Sequence, residues 1–187
     1  MDTVFYAKYK TNFWGGYGPG STIAYNKKYI EFIREFIVTN NIKTVVDLGC
    51  GDWQSSYLIY KDLPITYTGY DCVKFVINNN IRRYPNYKFE CTDISELETI
   101  KDADLYIIKD VLQHWPTNTI INFMDKLVKK SFKYIVICNC CNQTTNDMEK
   151  LGDFRELTAA KHPLIKYKPS IALVYNTKEV SIIKNKL

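Results

Sequence analysis

The stretch "TVVDLGCGDW", residues 44–53, decides how the rest of the chain is read. A β-branched run ends in an acid and then in glycine–any residue–glycine. Two glycines at the tip of a strand let the backbone turn sharply into a helix and let it pass close to a ligand. A plain tight turn and a nucleotide-binding loop both satisfy that description, so the surrounding chain has to separate them.

Working outward, Ile23, Tyr29, Ile30, Ile33, Phe36 and Ile37 predict a helix running to about Asn40, capped by Ser21 or Thr22. "KTVVDL" (43–48) reads as a buried strand, followed by a helix from about Trp53 to Tyr60. "ITYTGYD" (65–71) alternates like a strand, and Val73, Val76, Ile77, Ile81 and Tyr84 suit a helix that stops before Pro85. "YKFEC" (87–91), "ADLYIIK" (103–109) and "KYIVIC" (133–138) are three further strands. Before the last of these, a helix capped by Thr117 has a face of Ile120, Ile121, Met124, Leu127 and Val128. The end, from Ser170, reads as two strands joined by a turn near Asn176–Lys178. Alternating strands and helices predict an α/β fold, a doubly wound and mostly parallel sheet closed by an antiparallel hairpin.

Such sheets bind ligands beyond the carboxyl ends of their strands. Asp47, Gly49 and Gly51 stand at the end of the first strand, Asp71 and Cys72 at the second, Asp93 and Ile94 after the third, and Lys109 and Asp110 at the fourth. Four consecutive strands therefore deliver an acid to one rim. Asp71 lies 20 residues past Gly51, the distance at which an acid reaches ribose hydroxyls. Each such charge-assisted bond is worth roughly 1.5–3 kcal/mol. A dinucleotide loop needs a third small residue for close packing beside a pyrophosphate. Gln54 occupies that place, after the bulky Trp53, and Asp47 beside the loop repels a pyrophosphate while suiting an amine. S-adenosylmethionine carries an ammonium group and no pyrophosphate. Asp93 can take its adenine amino group, and the Ile94 N–H can face a ring nitrogen. Trp53 either lines this cofactor or packs against the sheet.

With "VVDLGCGDW", "YTGYDCV", "FECTDI" and "DLYIIKDVLQHWP" in this order over residues 45–116, the chain resembles the class I S-adenosylmethionine-dependent methyltransferases. The resemblance implies a Rossmann-like sheet of seven strands in the order 3-2-1-4-5-7-6. It also implies that Asp47, Gly49, Gly51, Asp71, Asp93 and Ile94 line the cofactor site. The whole of 1–187 is expected to be one domain, with an arm and helix at 1–40 and the core at 41–187.

Methyl transfer to oxygen requires removal of a proton, and a positioned base there contributes ~10²–10⁴-fold. Asp110 and His114 are four apart and can share one face of a short helix, with the carboxylate orienting the imidazole. The competing reading makes His114 a packing residue. Asp110 can instead bind a substrate hydroxyl or a divalent metal, and Lys109 can fix an anionic acceptor or bridge to Asp71. Trp14 and Tyr17, within the glycine-rich "NFWGGYGPGSTIAYN" (12–26), suggest either a lid over the cofactor or an ordinary arm. The connection 141–170 is long, and Arg155 within it is a candidate acceptor contact.

The chain has 187 residues, enough to bury a sizeable core, and 46% apolar composition without a run long enough to span a bilayer. The start carries no secretory pattern, so a cytoplasmic location is expected. Six cysteines without a CxxC pair read as reduced thiols, and no resident metal is expected. The net charge of +5 comes from scattered lysines, not from a basic stripe interleaved with aromatics. Amino methyltransferases of nucleic acids usually carry an Asn/Asp-Pro-Pro-aromatic stretch after the fourth strand, and "KDVLQHWP" departs from it. A sugar or other small-molecule hydroxyl is therefore the expected acceptor. An RNA or protein methyltransferase, and a non-catalytic cofactor-binding domain, are the alternatives.

Overall fold

The computed structural model describes residues 2–11, 22–142 and 150–185. Seven strands form one sheet in the order β3-β2-β1-β4-β5-β7-β6. They are β1 (Thr44–Leu48), β2 (Thr66–Asp71), β3 (Lys88–Cys91), β4 (Leu105–Lys109), β5 (Tyr134–Cys140), β6 (Ser170–Tyr175) and β7 (Lys178–Lys184). Among the described residues five α-helices accompany them: α1 (Asp2–Lys10), α2 (Lys27–Thr39), α3 (Gln54–Tyr60), α4 (Lys74–Arg83) and α5 (Thr117–Leu127). The pairs β1–β2, β2–β3 and β4–β5 are parallel, whereas β7 runs antiparallel to both β5 and β6. The strand order and the closing hairpin are those expected from the sequence. Among the described residues no helix is long and apolar enough to cross a membrane.

The chain divides into two compact units, Met1–Ile94 and Ser95–Leu187. In the first, α2 buries Tyr29, Ile30, Ile33 and Ile37 at helical spacing. It starts at Lys27, not near Ile23; residues 22–26 form turns instead, and Ile23 is exposed. Arg34 on α2 donates from one guanidinium nitrogen to the carbonyls of Leu58, Ile59 and Lys61 at 2.8–2.9 Å. These carbonyls close α3 and have no partner within the helix, so a cation from a neighbouring helix both bonds them and offsets the negative end of the dipole. The helix α1 was not anticipated, because its sequence carries no strong apolar face. On α4, Ile81 is exposed, contrary to the expected buried position.

Trp53 is 1% exposed and sits among six aromatic rings: Tyr57, Tyr60, Tyr67, Tyr84, Tyr87 and Phe89, with centroids 4.5–6.0 Å away. These distances suit tilted and edge-on aromatic contacts. The second unit places Ile120, Phe123, Met124 and Leu127 of α5 in its core together with all of β4 up to Ile108. Phe123 is buried there, while Ile121 and Val128, expected in that face, are only half-buried. Pro116, not Thr117, is the residue before the first helical position. β6 is the outer strand, with Ile171 and Val174 exposed and a register shift between Ile171 and Leu173. That irregularity blunts an otherwise open sheet edge.

Gly69 in β2 is fixed by packing. A Cβ added there would lie 2.8 Å from the Tyr67 hydroxyl and 3.0 Å from both Cys50 Sγ and a Phe89 ring carbon. The Tyr67 hydroxyl cannot retreat freely, since it donates to Asp47 at 2.9 Å. Gly69→Ala should lower stability by ~1–3 kcal/mol, the usual cost of overpacking. Denaturant unfolding checks this, and an unchanged midpoint would show that the Tyr67–Asp47 bond is free to move.

Candidate functional site

The loop between β1 and α3 takes its shape from three left-handed residues, Gly49 (φ 84°), Gly51 (φ 55°) and Trp53 (φ 60°). Glycine adopts this region without cost. Trp53 does not, and its aromatic shell must hold it there. The loop amides are largely spent within the unit. The N–H groups of Gly49 and Cys50 both donate to the Tyr70 carbonyl at 2.8 and 2.9 Å, and Gln54 donates to Asp52. The helix that follows has seven residues and its own acid, Asp52, at its start. An acid at a helix N-terminus disfavours an anionic ligand there. Asn80 of α4 closes the loop from the other side, donating to the Gly51 carbonyl at 2.6 Å.

Asp71, at the end of β2, is 8% exposed. One carboxylate oxygen accepts the Gly51 N–H at 3.1 Å and the other accepts the Val73 N–H at 2.9 Å. Burial raises its pKa, and the N–H bonds from Val73, Gly51 and Cys72 offset that only in part. Cys72 beside it is pushed up to about 12 by burial and by the charges of Asp71 and Asp93, so it stays a thiol. Asp47 is 4% exposed and accepts the Tyr67 hydroxyl. Ile94 is buried, and the adjoining chain is held by the Thr92 N–H on the Asp71 carbonyl at 3.0 Å. Trp53, a candidate for the cofactor's surroundings, is placed instead as the hub of the aromatic core. Trp14 and Tyr17 lie outside the described residues.

A second group of candidate side chains belongs to the second unit. Asp110 follows β4 in a left-handed conformation (φ 60°) and pairs with Lys109 at 2.6 Å and with Lys178 of β7. Lys178 is 3% exposed and also reaches Cys140 Sγ at 3.5 Å. Burial acts to raise the Asp110 pKa, but the two ammonium groups outweigh it and hold the carboxyl below its usual range. Burial acts to lower the Lys178 pKa; Asp110 and the neighbouring thiols more than reverse this. Both groups are thus charged at neutral pH. Cys138 is pushed up to about 12, first by burial and then by Asp110.

The expected Asp110–His114 pairing is replaced by these lysines, because Lys178 enters from a strand 68 residues away that chain spacing does not reveal. His114 is 8% exposed, on the one-turn helix Leu112–His114. Its Nδ1 lies 2.9 Å from the Asp153 carbonyl, which can only accept, so Nδ1 carries the proton and Nε2 the lone pair. The Gln113 Oε1 accepts the Cys140 N–H at 2.9 Å, which turns its amide nitrogen toward His114 Nε2 at 3.4 Å. Arg155 is 3% exposed and donates to Thr117 Oγ1 at 2.9 Å and to the Trp115 carbonyl at 3.0 Å. It braces the long connection, as do Gly152 on His114 and Glu179 on Thr158 and Ala159. Gln113, Asn80 and Lys178 were not singled out from sequence, since their partners are 27–68 residues away.

The first rim fits an adenosyl ligand with a positive charge. Its glycines adopt the left-handed backbone that a close approach requires, and its side chains supply carboxylates at Asp47, Asp71 and Asp93. The family described as "Methyltransferase domain" matches residues 40–183. No curated protein matches the chain. Among solved structures, the methyltransferase domain of a bacterial Hen1 is similar at 16% identity, covering 86% of this chain and 100% of that one, with a TM-score of 0.68. Magnesium protoporphyrin IX methyltransferase from Synechocystis PCC 6803, with bound SAH, is similar at 14% identity over 97% of this chain and 94% of that one, TM-score 0.67. The N-methyltransferase NodS from Bradyrhizobium japonicum WM9, in complex with S-adenosyl-L-homocysteine, is similar at 11% identity over 90% and 91%, TM-score 0.68. At these identities the likeness shows the fold, and the family match over most of the chain supplies the rest: the chain belongs to the class I S-adenosylmethionine-dependent methyltransferases, with S-adenosylmethionine as its cofactor.

Proposed function

We propose that the chain methylates a hydroxyl group of a sugar or another small molecule, with His114 as the general base. The observation that carries this reading is the Nδ1 contact to the Asp153 carbonyl, which leaves Nε2 as an acceptor. Methylation of oxygen needs such a group, whereas a neutral amine brings its own lone pair. The bound cofactor supplies an electrophilic methyl on a sulfonium. His114 Nε2 would take the proton that the acceptor hydroxyl gives up as its oxygen receives that methyl. The 3.4 Å contact from the Gln113 amide is long enough for an acceptor hydroxyl to displace it.

Asp110 and Lys178 serve a different purpose in this reading. A carboxylate held ionised by two lysines is a poor base and a good hydrogen-bond acceptor, and Lys178 is a donor that stays protonated. Together they suit the hydroxyl array of a sugar. In the first unit, Asp47 would hold the amino group of the cofactor, Asp71 the ribose and Asp93 the adenine, with Gly49, Gly51 and Ile94 lining the approach.

His114→Ala should cut turnover ~10²–10⁴-fold while leaving S-adenosylhomocysteine affinity unchanged. Transfer of labelled methyl to a panel of sugars and phenols, with calorimetry alongside, measures both. Full turnover in the variant, or labelling of amines alone, overturns the reading.

Asp71→Asn separates stability from binding. The folded pKa of Asp71 is raised, so the folded state holds that proton more tightly than the unfolded chain, and ionisation costs stability at neutral pH. In the variant one carboxylate oxygen becomes an amide nitrogen facing a backbone N–H, so a lost hydrogen bond is set against the removed charge. Its stability relative to the parent should fall as pH falls and the parent's carboxyl becomes protonated. Cofactor binding should weaken roughly 10-fold or more through the lost charge-assisted bonds. Unchanged affinity would remove Asp71 from the ribose role.

A further inference from the structure

The helix α1 lies against the cofactor rim within the first unit. Tyr6 and Tyr9, three apart on one face, both meet Phe75 of α4 edge-on with centroids 5.8 Å away. The Tyr9 hydroxyl lies 3.7 Å from where a side chain on Gly51 would begin. Its phenol is surrounded by the groups of the rim. Burial, and then the charges of Asp71, Asp52, Cys50 and Cys72, raise its pKa well above the ordinary tyrosine range. It therefore keeps its proton at neutral pH and can donate a hydrogen bond.

We propose that Tyr9 is a cofactor-contacting residue and that α1 is a lid, latched on Phe75, that closes the glycine-loop side of the site. This rests on the reading of Asp71 as the ribose acid. A ribose hydroxyl that donates to Asp71 has lone pairs left over, and the Tyr9 hydroxyl is the donor placed to meet them. The missing side chain at Gly51 is what allows ligand and tyrosine to approach one stretch of backbone together. Ligand exchange then requires α1 to lift from Phe75.

The test measures S-adenosylhomocysteine affinity by calorimetry and its release by stopped flow in the full chain. Tyr9→Ala should raise Kd about 10-fold and speed release similarly, and Tyr9→Phe should give about 3-fold through loss of the hydroxyl alone. Phe75→Ala should speed release with Tyr9 intact. Saturating S-adenosylhomocysteine should slow trypsin cleavage after Lys8 and Lys10 in the wild type and not in Phe75→Ala. If Tyr9→Ala does not fold, Tyr9→Phe and the cleavage rates decide. Unchanged Kd and release in the variants, or tighter binding by Tyr9→Ala, overturns the proposal. A wild-type chain that binds no S-adenosylhomocysteine overturns the cofactor reading itself, and this lid with it.

Discussion

One buried carboxylate organises the first half of the molecule. Asp71 ends β2, and its two oxygens bond the Gly51 N–H on one side and the Val73 N–H on the other. It thereby fixes where the glycine loop stands relative to the start of α4. Its partners are neutral amides, so burial raises its pKa despite the bonds. The ionised form therefore costs the fold stability. In the proposed ribose role that cost is set against ligand binding, the usual trade between stability and activity.

The second half solves the same problem in the opposite way. Asp110 is also charged and largely enclosed, but it has two ammonium partners that hold it below the ordinary carboxylate range. Lys178 has Asp110 as its compensating charge, and removing one member of such a pair leaves the other uncompensated at a cost of about 3–5 kcal/mol. The strained backbone at Asp110 is therefore held by the pair it makes. His114, on the same connection after β4, bonds a loop carbonyl and faces the Gln113 amide.

The strands were legible in the sequence because each is a short apolar run followed by glycine, an acid or a turn, and their order followed from the family resemblance. Residues 43–48, 65–71 and 170–184 show that signal plainly. The acids of the first rim were legible for the same reason, since they stand at strand ends. The partners of Asp110 were not. Lys178 reaches it by the antiparallel return of β7, and spacing along the chain favoured the nearer His114. Arg155 looked like a ligand contact because a charge in a long loop suggests exposure, whereas its guanidinium holds the Trp115 carbonyl and the Thr117 hydroxyl. Trp53 was ambiguous until its neighbours were known, because six rings from four separate segments converge on it. The helix α1 lacked periodicity, as it presents only a narrow aromatic edge to α4.

The placing of the tryptophans has an optical consequence. Trp53 is enclosed in the first unit and Trp115 in the second, each 1% exposed. Trp53 is ringed by tyrosines at distances where excitation passes efficiently to the indole, so light absorbed by those phenols emerges from a chromophore two residues beyond Gly51. The sequence holds a third indole, Trp14, and a chain in which Trp14 and one of these two are replaced would report the melting of one unit in the presence of the other without any attached dye.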